Sequence, residues 1–336
     1  MTSGAAARRR TRAVAAVSGL AVLTLSVAAC AGSGGVAGLA RAAGVGPAGS
    51  ATAGSAAAGA AASVAESSSA GSSGVGPSAA VPSPAAPRSA GPRHADPFSA
   101  ASGYLAQRSG TVLAAVYDVR TGQSWRLGDG PAQDEASVVK LDILETLLSA
   151  SDGAGLTSGN HGLARQMIEQ SDNDAATSLW YAAGAAAGLA AYNDKAGLTG
   201  TTPSACVVCA DFPWPGWGLS TTVPYDQLTL LKQLIRPSPL LTAGEREYAL
   251  SLLENVTPGQ AWGISGGVPA GVTVALKNGW LPLNGDNTDW QINSEGWVSG
   301  DGRDYLISVL STGNPTEQYG IDTISGLSSL IWTAMR

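Results

Sequence analysis

Residues 31–92 are almost wholly alanine, glycine, serine and proline, with few charges and no aromatic residue. Such a stretch has nothing with which to bury a core, and its frequent glycines and prolines work against an alanine-rich helix. A disordered tether over residues 30–94 is therefore expected. Whatever folds must do so over residues 95–336, about one domain's worth of chain.

The residues ahead of the tether read as a targeting segment, 1–29. Arg8, Arg9, Arg10 and Arg12 form a basic start, an apolar run of small residues follows, and Cys30 comes directly after Val27, Ala28 and Ala29. Small residues before a cysteine suggest a bacterial lipobox, with cleavage before Cys30 and lipidation of its sulfur. An ordinary secretory signal and an uncleaved anchor are the alternatives, although the run is short for a span of roughly 20 residues. If Cys30 is lipidated, Cys206 and Cys209 remain to pair as a local disulfide outside the cell membrane. A redox dithiol or half of a zinc site are the other readings of CxxC. There is no second CxxC and the only histidines are His94 and His161, so no metal and no cofactor is expected. Removing the four arginines takes the formal charge from −6 to about −10, which argues against nucleic acid as a partner.

Within 95–336 the patterns come in an informative order. Residues 98–108 have helical character, residues 111–119 form an apolar strand, and a turn at Thr121–Gly122 leads to a second strand through Trp125. Helices are expected over 136–150, 163–170, 174–187 and 225–235. Strand signals return from Val272, and a helix over 321–335 closes the chain. A hairpin first, helices between and strands last imply an α+β fold. The terminal pieces would build one discontinuous antiparallel sheet with flanking helices, the middle an all-helical lobe, and a site would lie between them.

Three strings carry chemistry: Ser137-Val-Val-Lys140, Ser171-Asp-Asn173 and Lys277-Asn-Gly279. Ser137 and Lys140 stand i, i+3 on one helix face. The helix N-terminus, burial and a second cation at Lys277 would each push Lys140 towards the neutral amine that can take the Ser137 proton. The Ser137 and Trp280 amides are candidate oxyanion donors. Ser171 could relay a proton, and Asn173 could hold a substrate amide. Taken singly the strings have plain structural readings: a serine N-cap, a polar turn and an Asn-Gly hairpin turn. Their joint occurrence, in this order and on these elements, points to acyl transfer without histidine.

With the flanking "MIEQSDNDAATSLW" and "VALKNGWLP", the chain resembles the class A β-lactamases and the wider superfamily of penicillin-recognising serine hydrolases. The resemblance covers roughly residues 95–336 and implies the α/β sandwich of that family. It implies Ser137 as acylated nucleophile, Lys140 as base, Ser171 as proton shuttle, Asn173 as substrate anchor and Lys277 as contact for a substrate carboxylate. Gly279 and Trp280 belong to the same substrate-binding strand. The partners implied are a β-lactam or a cell-wall peptide, with the membrane reached through the lipid, and the chain is expected to be a monomer.

Three departures stand out. The stretch between the first two strings is short. KNG lacks the hydroxyl residue usual between the lysine and the glycine. No glutamate lies between Asn173 and Thr221, where the family keeps the one that activates water to clear the acyl-enzyme; Asp211 is the only acid near that loop's centre. Acylation is therefore expected and deacylation is in question. The alternatives are a D-alanyl peptidase or transpeptidase and a binding module without turnover.

Overall fold

The computed structural model describes residues 95–210 and 212–336. The targeting segment, Cys30, the tether, His94 and Asp211 lie outside the described residues.

A short helix α1 (Ser102–Leu105) leads to β1 (Thr111–Asp118), β2 (Ser124–Leu127) and β3 (Gln133–Asp134). The middle of the chain is α2 (Val139–Ala150), α3 (Ser158–Glu169), α4 (Asn173–Ala182), α5 (Ala185–Ala196), β4 (Thr221–Thr222), α6 (Pro224–Ile235) and α7 (Ala243–Glu254). It ends with β5 (Thr273–Pro282), β6 (Trp290–Gly300), β7 (Arg303–Asn314) and α8 (Glu317–Ala334). Five strands form one antiparallel sheet in the order β2-β1-β7-β6-β5, while β3 and β4 pair separately. The α+β expectation is met, and KNG lies on the edge strand β5.

Successive residues of a strand point to opposite faces, and here both faces are covered. Ala115, Tyr117, Ala275 and Leu306 pack towards the helical lobe, while Val116, Tyr305, Ile307 and Val309 pack with α8 through Ile324, Leu327 and Ile331. This explains why these strands read as near-continuous apolar runs. α2 is enclosed all round, with every residue from Val139 to Leu148 buried, as befits a central helix.

Some boundaries differ from expectation. The helix expected over 174–187 breaks at Gly184 (φ +88°), and α5 begins beyond it. The region 98–108 holds only one helical turn. α7 was not foreseen, although Thr242 and Glu245 form a capping box at its start.

Candidate active site

The turn carrying Ser137 is held under backbone strain. Ala136 takes φ +49°, a conformation costly for a residue with a Cβ, and Ser137 follows in a 3₁₀ turn (Ala136–Val138) that runs into α2. Neighbouring elements pin the approach to it. Glu135 N donates to Ser220 O (2.7 Å), and Asn293 Nδ2, from β6, donates to both Asp134 O (2.9 Å) and Glu135 O (2.8 Å). β5 presses against the turn at Gly279. A Cβ there would stand 2.6 Å from Ser137 N and 2.9 Å from Glu135 O, so only glycine permits this approach.

One turn further on, Lys140 is completely buried. Its Nζ donates to Ser171 O (2.6 Å), Ser171 Oγ (3.1 Å) and Asn173 Oδ1 (2.7 Å). Lys277 reaches the same hydroxyl from the opposite side: its Nζ donates to Ser171 Oγ (3.0 Å) and to Asn278 O (2.7 Å). Ser171 also has a positive φ (+59°), in the loop between α3 and α4. The Asp172 carboxylate caps α4 there, accepting from Ala175 N (2.7 Å). Two buried amines thus converge on one hydroxyl. Burial first, and the nearby Lys277 charge second, hold Lys140 well below the ordinary lysine range. Burial brings Lys277 down to about 7, against the pull of Glu295, its cross-strand neighbour.

The roof of the site is the loop before β4. Cys206 and Cys209 form a disulfide, and Gly216 packs on it so closely that a Cβ would meet Cys209 Sγ at 2.8 Å. Gly216 N donates to Cys206 O (2.7 Å). The next residue, Trp217, is buried with its ring 5.0 Å from Lys140 Nζ, and its Nε1 donates to Thr177 Oγ1 (3.2 Å). Trp214 and Phe212 stack around it, with ring centroids 6.3 and 5.9 Å away. Both tryptophans therefore pack against their own loop and also line a cleft.

That cleft has a volume of about 310 Å³ and opens over Ser137, with Ser171, Asn173, Trp280 and Trp290 also on its walls. Ser137 is half-buried, and Lys140 and Lys277 lie beneath the floor. The structure thus brings Ser137, Lys140, Ser171, Asn173, Lys277, Gly279 and Trp280 into one place. Asn278, between the lysine and the glycine, turns away: its Nδ2 donates to Gln260 O (2.7 Å) and Trp262 O (3.1 Å).

Sequence reasoning missed several supports. Ala136 and Asn293 shape the nucleophile turn, and neither residue type advertises such a role. Glu135, Asp142, Glu145 and Glu295 are buried carboxylates behind the two lysines, and burial raises all four above the ordinary range. Asp142 and Glu145 among the apolar residues of α2 were the available signal; Glu135 and Glu295 sit among polar neighbours.

Comparison with known proteins bears on the fold and the family. The protein "Putative lipoprotein LppW" of Mycobacterium tuberculosis is 29% identical over 221 residues, a match spanning 63% of this chain and 66% of that protein, just under two thirds of its length. Among solved structures, a beta-lactamase from Chitinophaga pinensis aligns with a TM-score of 0.63 at 19% identity, covering 71% of this chain and 99% of its own. A class A beta-lactamase from Mycobacterium abscessus gives 0.59 at 20% identity over 71% and 98%. The protein PBP-A gives 0.59 at 19% over 71% and 95%. These likenesses establish the fold. The family model described as "Beta-lactamase enzyme family" matches residues 150–335, which takes in SDN and KNG and begins just after SVVK. Because that match spans more than half of the chain, the protein belongs to the beta-lactamase enzyme family.

Proposed function

We propose that the protein is an extracytoplasmic serine hydrolase of β-lactamase type that forms an acyl-enzyme on Ser137. The observation that carries this reading is the convergence of Lys140 and Lys277 on Ser171 Oγ, at 3.1 and 3.0 Å, beneath a half-buried serine. Lys140, held towards its neutral form, takes the Ser137 proton as Oγ attacks the acyl carbon. The Ser137 and Trp280 amides receive the developing oxyanion, and Ser171 hands a proton from the lysine pair to the leaving group. Asn173 anchors the acyl side chain. A β-lactam or a cell-wall peptide supplies the acyl group.

Release of the acyl group is slow in this reading. The loop from which the family draws its water-activating glutamate here lays an indole over Lys140. General-base help of about 10²- to 10⁴-fold is thereby forgone. The membrane location rests on the N-terminal pattern at Cys30 and on the name of the mycobacterial relative, which calls it a lipoprotein.

The test is a chromogenic cephalosporin followed by colour and intact mass together, with Ser137→Ala as control. The expected result is a stoichiometric burst with a persistent adduct on Ser137. Rapid sustained turnover would remove the slow-release step. An adduct that survives Ser137→Ala would remove the nucleophile assignment.

A further inference from the structure

The acyl-transfer reading leaves open what kind of acyl donor the cleft accepts, and its walls are unusual for a site expected to bind a carboxylate. Among the described residues that line it, none carries a charge. Five of them are aromatic: Phe212, Trp214, Trp217, Trp280 and Trp290. Lys277, the cation that the resemblance assigned to a substrate carboxylate, is 1% exposed and donates to Ser171 Oγ and Asn278 O. With burial bringing it to about 7, it also loses its charge near neutrality. No hydroxyl on the strand helps it, because Asn278 is pinned to Gln260 O and Trp262 O. Asp174 accepts from Trp214 Nε1 (3.2 Å), which puts a negative charge beside one wall and would repel an anion. A carboxylate entering this cleft gives up water and finds no compensating cation, whereas a flat apolar group finds aromatic faces.

We propose that the cleft selects uncharged acyl donors, esters, thioesters or amides with an aromatic or apolar acyl group and no carboxylate beside the scissile bond. The proposal rests on Ser137 being the nucleophile, and it makes the β-lactams and cell-wall peptides of the proposed function, whose carboxylate stands beside the scissile bond, slow donors. In the step itself, the Ser137 Oγ–acyl bond forms as the bond to the leaving sulfur, oxygen or nitrogen breaks. The serine proton passes through Lys140 to the leaving group, so no outside reactant is needed. Ser171, in contact with both lysines, is placed to carry that proton.

A matched pair of donors isolates the charge: the phenylacetyl thioester of mercaptoacetate, and the same thioester with its carboxylate methylated. Thiol release and the mass adduct on Ser137 give kcat/KM for acylation of the full chain by each. Each value is divided by that donor's rate with hydroxide, which removes the difference in leaving-thiol acidity, and after that division the methyl ester is expected to acylate at least tenfold faster. Leu281→Arg, on a half-buried wall of the cleft, is expected to shrink or reverse that preference. Equal rates, or a faster free acid, overturn the proposal. So does rejection of both thioesters by a protein whose Ser137 is labelled by a fluorophosphonate. Failure of the fluorophosphonate to label Ser137 is a different result: it removes the nucleophile assignment, and the proposal with it.

Discussion

Lys140 is fully buried, and its amine donates to neutral oxygens of Ser171 and Asn173. An ammonium in that setting is disfavoured by burial and again by Lys277. As pH rises through its lowered pKa, the neutral base accumulates, so acylation of Ser137 should climb with pH on a limb lying well below pH 10.5. Lys140→Ala is expected to slow adduct formation by about 10²- to 10⁴-fold and to abolish that limb, read from adduct mass against time at each pH. Gly279 fixes a second residue-scale expectation. An alanine Cβ 2.6 Å from Ser137 N must push β5 off the nucleophile turn. Gly279→Ala should therefore cost about 1–3 kcal/mol in denaturant unfolding and nearly all acylation, because strand and turn cannot both stay in place. Ser137, Lys140, Ser171 and Lys277 were legible because acyl transfer demands those residue types at those spacings. Trp217 was not, since a buried indole above an amine looks in sequence like any core tryptophan.

The elements divide in the same way. β1, α2, α6 and β7 announce themselves through runs of apolar residues, because each buries one face or more. α5 does not: it is built largely of alanine and glycine around Leu189 and Tyr192, so no apolar stripe marks it off from α4. α7 carries a readable Thr242–Glu245 box but a weak apolar face. The roof loop has one short 3₁₀ turn (Gly216–Leu219) and is otherwise ordered by its disulfide and by Gly216 packed upon it. Closing so short a ring contributes about 2 kcal/mol in the chain-entropy picture. Replacing both Cys206 and Cys209 by serine should therefore lower Tm by no more than about 4–8 °C. The same variant should slow acylation by more than that loss suggests, because Trp217 and the cleft wall depend on the loop's shape. A variant with unchanged acylation and a much larger fall in Tm would make the bridge a support of the fold rather than of the site.

At the scale of the molecule, the helical lobe meets the sheet through polar groups as well as apolar ones. Glu135, Asp142, Glu145 and Glu295 are all buried there and all raised above their ordinary range, chiefly by burial and, for the three glutamates, partly by neighbouring carboxylates. Some pairing exists: Tyr192 Oη donates to Glu145 Oε2 (2.6 Å) and Asn193 Nδ2 to Asp142 Oδ2 (3.0 Å). An acid whose folded pKa is raised is protonated in the folded chain when the unfolded chain has already ionised. Folding then takes up protons, and stability falls as pH rises from the unfolded value towards the folded one. For Asp142 that window runs from about 4 to about 7, and its shift corresponds to roughly 4 kcal/mol. Lys140 and Lys277 act in the opposite sense, because each sheds in the folded form a proton that the unfolded chain keeps, but they are two groups against four, and Lys277 does so only above about pH 7. Denaturant unfolding should thus show a domain most stable in mild acid and weaker at pH 7, the reverse of a protein held by surface ion pairs. Asp142→Asn removes one of the four titrations and should flatten the decline between pH 4 and 7. A stability that rises over that interval would mean that the four carboxylates are ionised and paired in the folded protein, and the lobe interface would then be held by charge.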